Sequence, residues 1–171
     1  MEIQGFSNQY TIRYLIPADV EMIYDILKSN TIFYKYHPPM VTVESILEDM
    51  EALPPSKGYE DKHYFGFFQD DVLVAVMDLI EHYPQYGTAL LGFFAMNSDL
   101  QGAGVGTKII SECVSYLTQL GFFKVRLGID KGNPQSKAFW LKNAFVFTGE
   151  EYKSDDSTIL VMERAILNKQ P

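Results

Sequence analysis

The sequence holds a single cysteine, Cys113. No internal disulfide can form, and that usage fits a reducing compartment. No apolar run approaches the ~20 residues a helix needs to cross a bilayer. The opening Met1-Glu2-Ile3-Gln4 has no basic stretch leading into an apolar one, which argues against a secretory leader. A cytoplasmic protein with no membrane partner is therefore expected. Basic residues are also short: 14 Lys and Arg stand against 22 Asp and Glu, a net charge of −8. Phosphate backbones demand a basic face, so no nucleic-acid partner is expected. The three histidines fall at no metal-ligand spacing and no Cys/His cluster occurs, so no metal site is expected.

What remains is ordinary globular composition, 47% hydrophobic and 21% charged over 171 residues, enough for one domain spanning 1–171. Strands are expected at Tyr10–Ile16, His63–Gln69, Val72–Ile80, Thr88–Met96, Lys124–Ile129, Val146–Tyr152 and Thr158–Ala165. Helices are expected from Pro17 to about Leu27, from Val41 to Met50, from Gly104 to Leu120 and from Pro134 to Asn143. Residues 29–39, ending in Pro38-Pro39, read as a loop. Thr88–Met96 is almost wholly apolar, as in a strand covered on both faces. The order βααβββαβαββ describes a single α/β (α+β) domain with a mixed, mostly antiparallel sheet.

Charge is unevenly spread. Residues 1–100 carry 5 Lys+Arg against 15 Asp+Glu, whereas residues 101–171 carry 9 against 7. Within the second part, Gly102-Ala103-Gly104-Val105-Gly106 opens a helix directly after a strand. Glycines let backbone N–H groups approach a ligand, and a helix N-terminus adds about half a positive charge. Together they make an anion site. A dinucleotide fingerprint needs a third glycine where Thr107 or Ile109 stands, and a P-loop needs Gly-Lys-Ser/Thr where Gly106-Thr107-Lys108 stands. Neither motif fits.

The segment Gln101-Gly102-Ala103-Gly104-Val105-Gly106 resembles instead the Q/R-x-x-G-x-G/A pattern of the GNAT acetyltransferase superfamily. After one intervening helix and strand, Asn133-Pro134-Gln135-Ser136-Lys137-Ala138-Phe139-Trp140-Leu141-Lys142-Asn143-Ala144-Phe145 resembles that family's N-x-x-[AS]-x-x-[FL]-[YW]-x-K-x-G-F segment. The likeness covers residues 88–150 well, while the first half agrees only in its order of elements.

The resemblance implies a splayed parallel strand pair holding acetyl-CoA as co-substrate. Phe94, Ala95 and Met96 would pair with the pantetheine arm, and the Met96 N–H would polarise the thioester carbonyl. Gln101, Gly102, Ala103, Gly104, Val105, Gly106 and Thr107 would offer N–H groups to the pyrophosphate. Asn133 and Ser136 would make polar contacts beyond it. Phe139 and Trp140 would wall the cofactor, with plain core packing the other reading for Phe139. Lys142 would approach a CoA phosphate or stand as a solvated lysine. The basic excess of residues 101–142 then has a reason, since CoA is anionic. Two positions depart from the pattern. Trp140 stands where many members carry an acid tyrosine, and an indole N–H does not titrate usefully. Ala144 replaces a glycine, which bears on backbone shape.

Direct transfer needs a neutral amine, and stripping the proton from an alkylammonium at neutral pH costs about 4–5 kcal/mol. Thr88–Met96 offers no titratable side chain, so a base must come from elsewhere. Asp78, a carboxylate in the apolar run Val72–Ile80, is the candidate; the other reading has it bonding backbone or a hydroxyl at the strand's end. Glu81, His82 and Tyr86 follow behind it. The acidic first hundred residues favour a small, cationic amine or a peptide amine as acceptor. Exposed sheet edges allow a homodimer. Two other functions stay open: an acetyl-CoA-binding sensor with little activity, and a nucleotide-binding domain of another fold.

Overall fold

A computed structural model describes residues 1–153 and 157–166. After a 3₁₀ turn at Ile3–Phe6 come β1 (Thr11–Tyr14), α1 (Val20–Leu27), α2 (Thr31–Tyr36) and α3 (Val43–Glu51). A three-strand meander follows: β2 (Lys62–Gln69), β3 (Val72–Ile80) and β4 (Thr88–Met96). The chain ends in α4 (Val105–Gln119), β5 (Lys124–Asp130), α5 (Pro134–Lys142), β6 (Val146–Lys153) and β7 (Thr158–Ala165).

All seven strands join one sheet in the order β1-β2-β3-β4-β5-β7-β6, with β4–β5 the parallel pair and the other neighbours antiparallel. The sheet is a middle layer. Phe65, Phe67, Met77 and Leu79 pack with Ile109, Cys113 and Leu117 of α4 on one face. Tyr64, Phe68 and Val76 pack with Ile23 and Leu27 of α1 and Ile46 of α3 on the other. Alternate residues of β2 and β3 thus enter opposite cores, as the period of two requires. A strand buried on both faces loses the polar–apolar alternation, which is why β2 reads as an apolar run.

Two expectations need correction. The span 29–39 is not a plain loop: Thr31–Tyr36 forms α2, so the order becomes βαααβββαβαββ. Its Ile, Thr, Phe and Tyr residues are indifferent helix formers and its length is below what holds alone in water. Tertiary contacts keep it helical. Nor is β4 covered on both faces along its length. Gly92 is exposed and Phe93, Phe94 and Ala95 are only half-buried, because that stretch borders a cavity.

Candidate active site

The cavity begins where two strands part. β4 and β5 pair only over Thr88–Leu91 and Lys124–Leu127. Beyond that, β4 stays with β3 as far as Met96 and β5 stays with β7 as far as Asp130. A wedge opens between them. The Asn97 N–H donates to the Val74 carbonyl at 2.9 Å. Antiparallel pairing alternates bonded and non-bonded pairs, so Ala75/Met96 and Met77/Phe94 are the non-bonded ones. The N–H and C=O groups of Phe94 and Met96 therefore point away from β3, into the wedge.

The glycine loop closes one end of it. Gly102 and Gly104 have φ of +79° and +84°, and a Cβ on either meets no atom within 4 Å. These glycines serve conformation, since a side chain at positive φ is strained, and they leave the space before them open. Gly104 is also the N-cap of α4 and brings no side-chain cap, so the first-turn N–H groups have no side-chain partner at that end. Gly106 has a different cause: a Cβ there would lie 3.1 Å from the Met96 sulfur and 3.1 Å from the Phe139 ring.

α5 supplies the opposite wall. Asn133 caps it, its Oδ1 accepting from the Ser136 N–H at 3.0 Å, with Pro134 preset for the first turn. That bond engages the side-chain oxygen of Asn133, a residue expected to make a polar contact with the cofactor. The Phe139 ring lies near-parallel to Phe94, centroids 6.1 Å apart, and Trp140 meets Phe94, Phe139 and Phe145 edge-on. Trp140 is 7% exposed, so it is part of the core as well as a wall. After α5, Ala144 has φ of +63°, the left-handed conformation for which a glycine is suited.

The enclosed volume is about 350 Å³. Phe94, Ala95, Met96, Gln101, Gly102 and Gly104 line it, as do Gly106, Thr107, Asn133, Ser136, Phe139, Trp140 and Lys142. Of the residues assigned to the cofactor, only Ala103 and Val105 do not. Leu27, Asn30, Phe33, Tyr34, Phe93 and Gln135 line it too, and sequence reasoning missed all six. Leu27, Phe33 and Tyr34 belong to α1 or α2 and Asn30 is the N-cap of α2, where the only available signal was an Asn before a short aromatic run.

α2 is pinned at both ends. Asn30 Nδ2 donates to the carbonyls of Met96 and Ile26 at 3.1 and 2.9 Å, and its Oδ1 accepts from Gln101 Nε2 at 2.6 Å. At the other end His37 Nδ1 meets the buried Asp130 carboxylate at 3.0 Å. That hydrogen bond raises the His37 pKa above its ordinary value, against the opposing pull of burial. Between the pins, Phe33 packs edge-on against Phe93. Burial pushes the Tyr34 hydroxyl up to about 12, with Asp49 adding to the shift. Tyr34 stays protonated and is a hydrogen-bond donor at neutral pH.

Asp78 does not line the cavity. It sits behind Phe93, beside the bulge where β3 and β4 shift register, with Oδ2 2.8 Å from the buried Lys62 ammonium. Among the described residues neither backbone nor hydroxyl binds it, and Lys62 takes the place expected of them. Its Oδ1 is buried without a partner among the described residues. Burial raises its pKa, and the Lys62 charge opposes that. A Cβ on Gly92 would lie 2.9 Å from Oδ2, so the exposed glycine keeps the approach to this carboxylate open. The weaker candidates point elsewhere: Glu81 binds His63 and the N-terminal ammonium, and His82 stacks between Tyr86 and Phe122.

The basic excess also finds other work. Lys124 and Arg126 pair with Glu163, Arg126 also pairs with Glu150, and Lys131 pairs with Glu151. Of Lys108, Lys124, Arg126, Lys131, Lys137 and Lys142, the basic residues of 101–142, Lys142 alone lines the cavity.

Residues 20–145 match the family described as the Acetyltransferase (GNAT) family. No curated protein matches the chain. Among solved structures, an acetyltransferase from Thermus thermophilus superposes with a TM-score of 0.72 at 20% identity, covering 92% of this chain and 97% of that one. The PaiA N-acetyltransferase from Thermoplasma acidophilum in complex with coenzyme A gives 0.65 at 18% identity over 91% and 98%. A spermidine N-acetyltransferase chimera from Vibrio cholerae and hSSAT gives 0.68 at 20% identity over 92% and 96%. These likenesses are of fold.

Proposed function

The chain belongs to the acetyltransferase (GNAT) family, and we propose that it transfers the acetyl group of acetyl-CoA to a primary amine of a small, cationic acceptor. That it is an acetyl-CoA-dependent N-acetyltransferase follows from the family; the acceptor class and the residue roles are this proposal. The observation carrying it is the wedge: strand backbone turned into an open gap, with a glycine-built anion site at its end.

Acetyl-CoA brings an activated thioester acyl group. Gly102, Gly104 and the first turn of α4 hold the pyrophosphate through N–H groups, and the open space before both glycines fits that use. Phe94 and Met96 offer backbone groups to the pantetheine amides. The Met96 N–H faces the same gap and stabilises charge developing on the thioester oxygen, a role of roughly 3 kcal/mol where it has been measured elsewhere. Phe139 and Trp140 exclude water from one side, and Phe33, Tyr34 and Phe93 from the other.

Asp78 takes the acceptor's proton in this reading, reached past Gly92 and raised by burial toward the working range. Asp49 of α3 adds negative charge on the same side, its field acting on Tyr34, Tyr64 and Asp78. A cationic acceptor is drawn there, in keeping with the spermidine enzyme among the structural relatives. The edge strands β1 and β6 leave room for a second copy, and sedimentation reads whether a dimer forms.

The test is thiol release from acetyl-CoA across a panel of polyamines, aminoglycosides, peptide amines and neutral or acidic amines. Cationic primary amines should react best; reaction of neutral or acidic acceptors alone would sink the acceptor assignment. A second reading, a chain that binds acetyl-CoA but transfers little, draws on Trp140 in place of an acid tyrosine and on the pairing of Asp78 with Lys62. CoA binding with no thiol release for any amine selects it.

A further inference from the structure

Asn30 breaks a local rule. It stands at the N-cap of α2, where an asparagine side chain ordinarily accepts from the helix's own free N–H groups, yet it makes no such bond. Its side-chain hydrogen bonds all go to residues outside α2. One donor pair serves the Ile26 carbonyl at the end of α1 and the Met96 carbonyl at the end of β4. The oxygen serves Gln101, the first residue of the glycine-loop motif, at 2.6 Å. Gln101 in turn accepts from Gln135 Nε2 of α5 at 3.1 Å. One half-buried amide thus touches the strand end, the glycine loop and, through Gln101, the helix of the opposite wall. Departures from local preference of this kind cluster where a fold serves function.

We propose that Asn30 is a positioning residue that locks α2, the Met96 strand end and the glycine loop into one unit, so that the cofactor and acceptor halves of the cavity form together. The Met96 carbonyl and N–H lie on the same side of β4, so holding the carbonyl fixes the direction of the N–H of the same residue. Gln101 is held by its side chain and by its own N–H, which donates to the Ser98 carbonyl at 3.1 Å and so is not the pyrophosphate donor expected of it; the loop residues that follow it face the ligand. The far pin, His37 on Asp130, then fixes α2 across the gap from β4 to the end of β5. Tyr36 of α2 also lies near Gly132 in the loop that follows β5. Phe33 and Tyr34 are positioned between the pins, and only with both in place do they face the acyl end.

This inference rests on the transfer reading for its kinetic arm but not for its binding arm. The experiment is a double-mutant cycle of Asn30→Ala and Gln101→Ala, read by calorimetric CoA affinity and by kcat. Each single variant should weaken CoA binding about fivefold to tenfold, the worth of one or two hydrogen bonds. The double variant should lose clearly less than the sum of the two singles, because both remove the Asn30–Gln101 bond. The kcat should fall about tenfold in Asn30→Ala and clearly less in Gln101→Ala, since only the first frees the Met96 carbonyl. Additive losses of CoA affinity, or a lowered melting temperature with CoA affinity and kcat unchanged, would overturn it. If Asn30→Ala does not fold, Asn30→Ser takes its place in the same cycle, its hydroxyl keeping part of the network at a smaller size. If no amine is acetylated even by the unaltered chain, the transfer reading fails while the affinity cycle still decides the role of Asn30.

Discussion

The glycine loop and α2 border the same cavity but are made in different ways. The loop is built from backbone: two residues at positive φ, open space where side chains would be, and unclaimed N–H groups at the start of a 15-residue helix. α2 is built from side chains: six residues held by an amide at one end, an imidazole–carboxylate pair at the other, and aromatic edges between. A backbone site binds what every member of a family shares, while a side-chain wall is free to change with the acceptor. The difference teaches where to look for specificity, on α2 and the strands beneath it.

The first way to break this comparison is to put a side chain in the backbone half. Gly104→Glu places a carboxylate at φ +84° in the open space before the loop. CoA affinity should fall at least about 100-fold from repulsion and lost approach, as read by calorimetry. An unchanged affinity would mean that the loop is not the anion site.

The next largest effect belongs to the side-chain half. Asp78→Asn keeps the shape but not the basicity, and should lower kcat/KM about 100-fold with CoA affinity unchanged. Asp78 has its pKa raised by burial against the opposing Lys62 charge. Activity therefore falls as pH drops through that raised value, and Lys62→Met, which removes the opposing charge, moves the acid limb to higher pH. The stability sign is opposite: a carboxyl raised in the folded chain binds its proton more tightly there. It lowers stability as pH rises from its unfolded value through its folded one. An unmoved acid limb in Lys62→Met would take the base role from Asp78.

His37 gives a smaller effect. Its pKa is raised by Asp130, so the stability it adds is complete below its unfolded value of about 6.5 and is lost as pH rises through the folded value. The side chain is half exposed, which limits the effect to a few tenths of a kcal/mol. His37→Gln should remove that pH-dependent increment in denaturant unfolding between about pH 5 and 9, and weaken acceptor KM more than acetyl-CoA KM. An increment that survives the substitution would assign it to another group.

The smallest change sharpens the contrast by mending backbone strain outside the cavity. Ala144 sits at φ +63° where glycine is unstrained, so Ala144→Gly should stabilise the chain by about 0.5 kcal/mol after the cost of a more flexible unfolded state. A lowered midpoint would show that the alanine methyl makes contacts outweighing the strain.

The same contrast explains what was legible in the sequence. Glycine spacing, the Asn-Pro helix start and the two-faced apolar strands are local signals, and they located β2 to β7, α4 and α5, whose residues line most of the cavity. Phe139 and Trp140, expected from the family resemblance to wall the cofactor, both line the cavity. α2 was illegible because Thr-Ile-Phe-Tyr-Lys-Tyr carries no helical preference and its stability comes from Met96, Gln101 and Asp130, which are 66 to 93 residues away in the chain. The partner of Asp78 was illegible too, since only the register of β2 on β3 brings Lys62 to it. Part of the basic excess was illegible for a related reason: sequence shows charge along the chain, and Lys124, Arg126 and Lys131 pair across β5, β6 and β7.

The most direct measurement compares binding of CoA with that of 3′-phosphoadenosine 5′-diphosphate, which keeps the pyrophosphate but has no pantetheine arm. If the wedge between β4 and β5 is the cofactor site, the backbone groups of Phe94 and Met96 make CoA bind at least about tenfold more tightly and raise the melting temperature further. Equal affinity for the two ligands would contradict the account, because the parted strands would then contribute nothing to holding the cofactor.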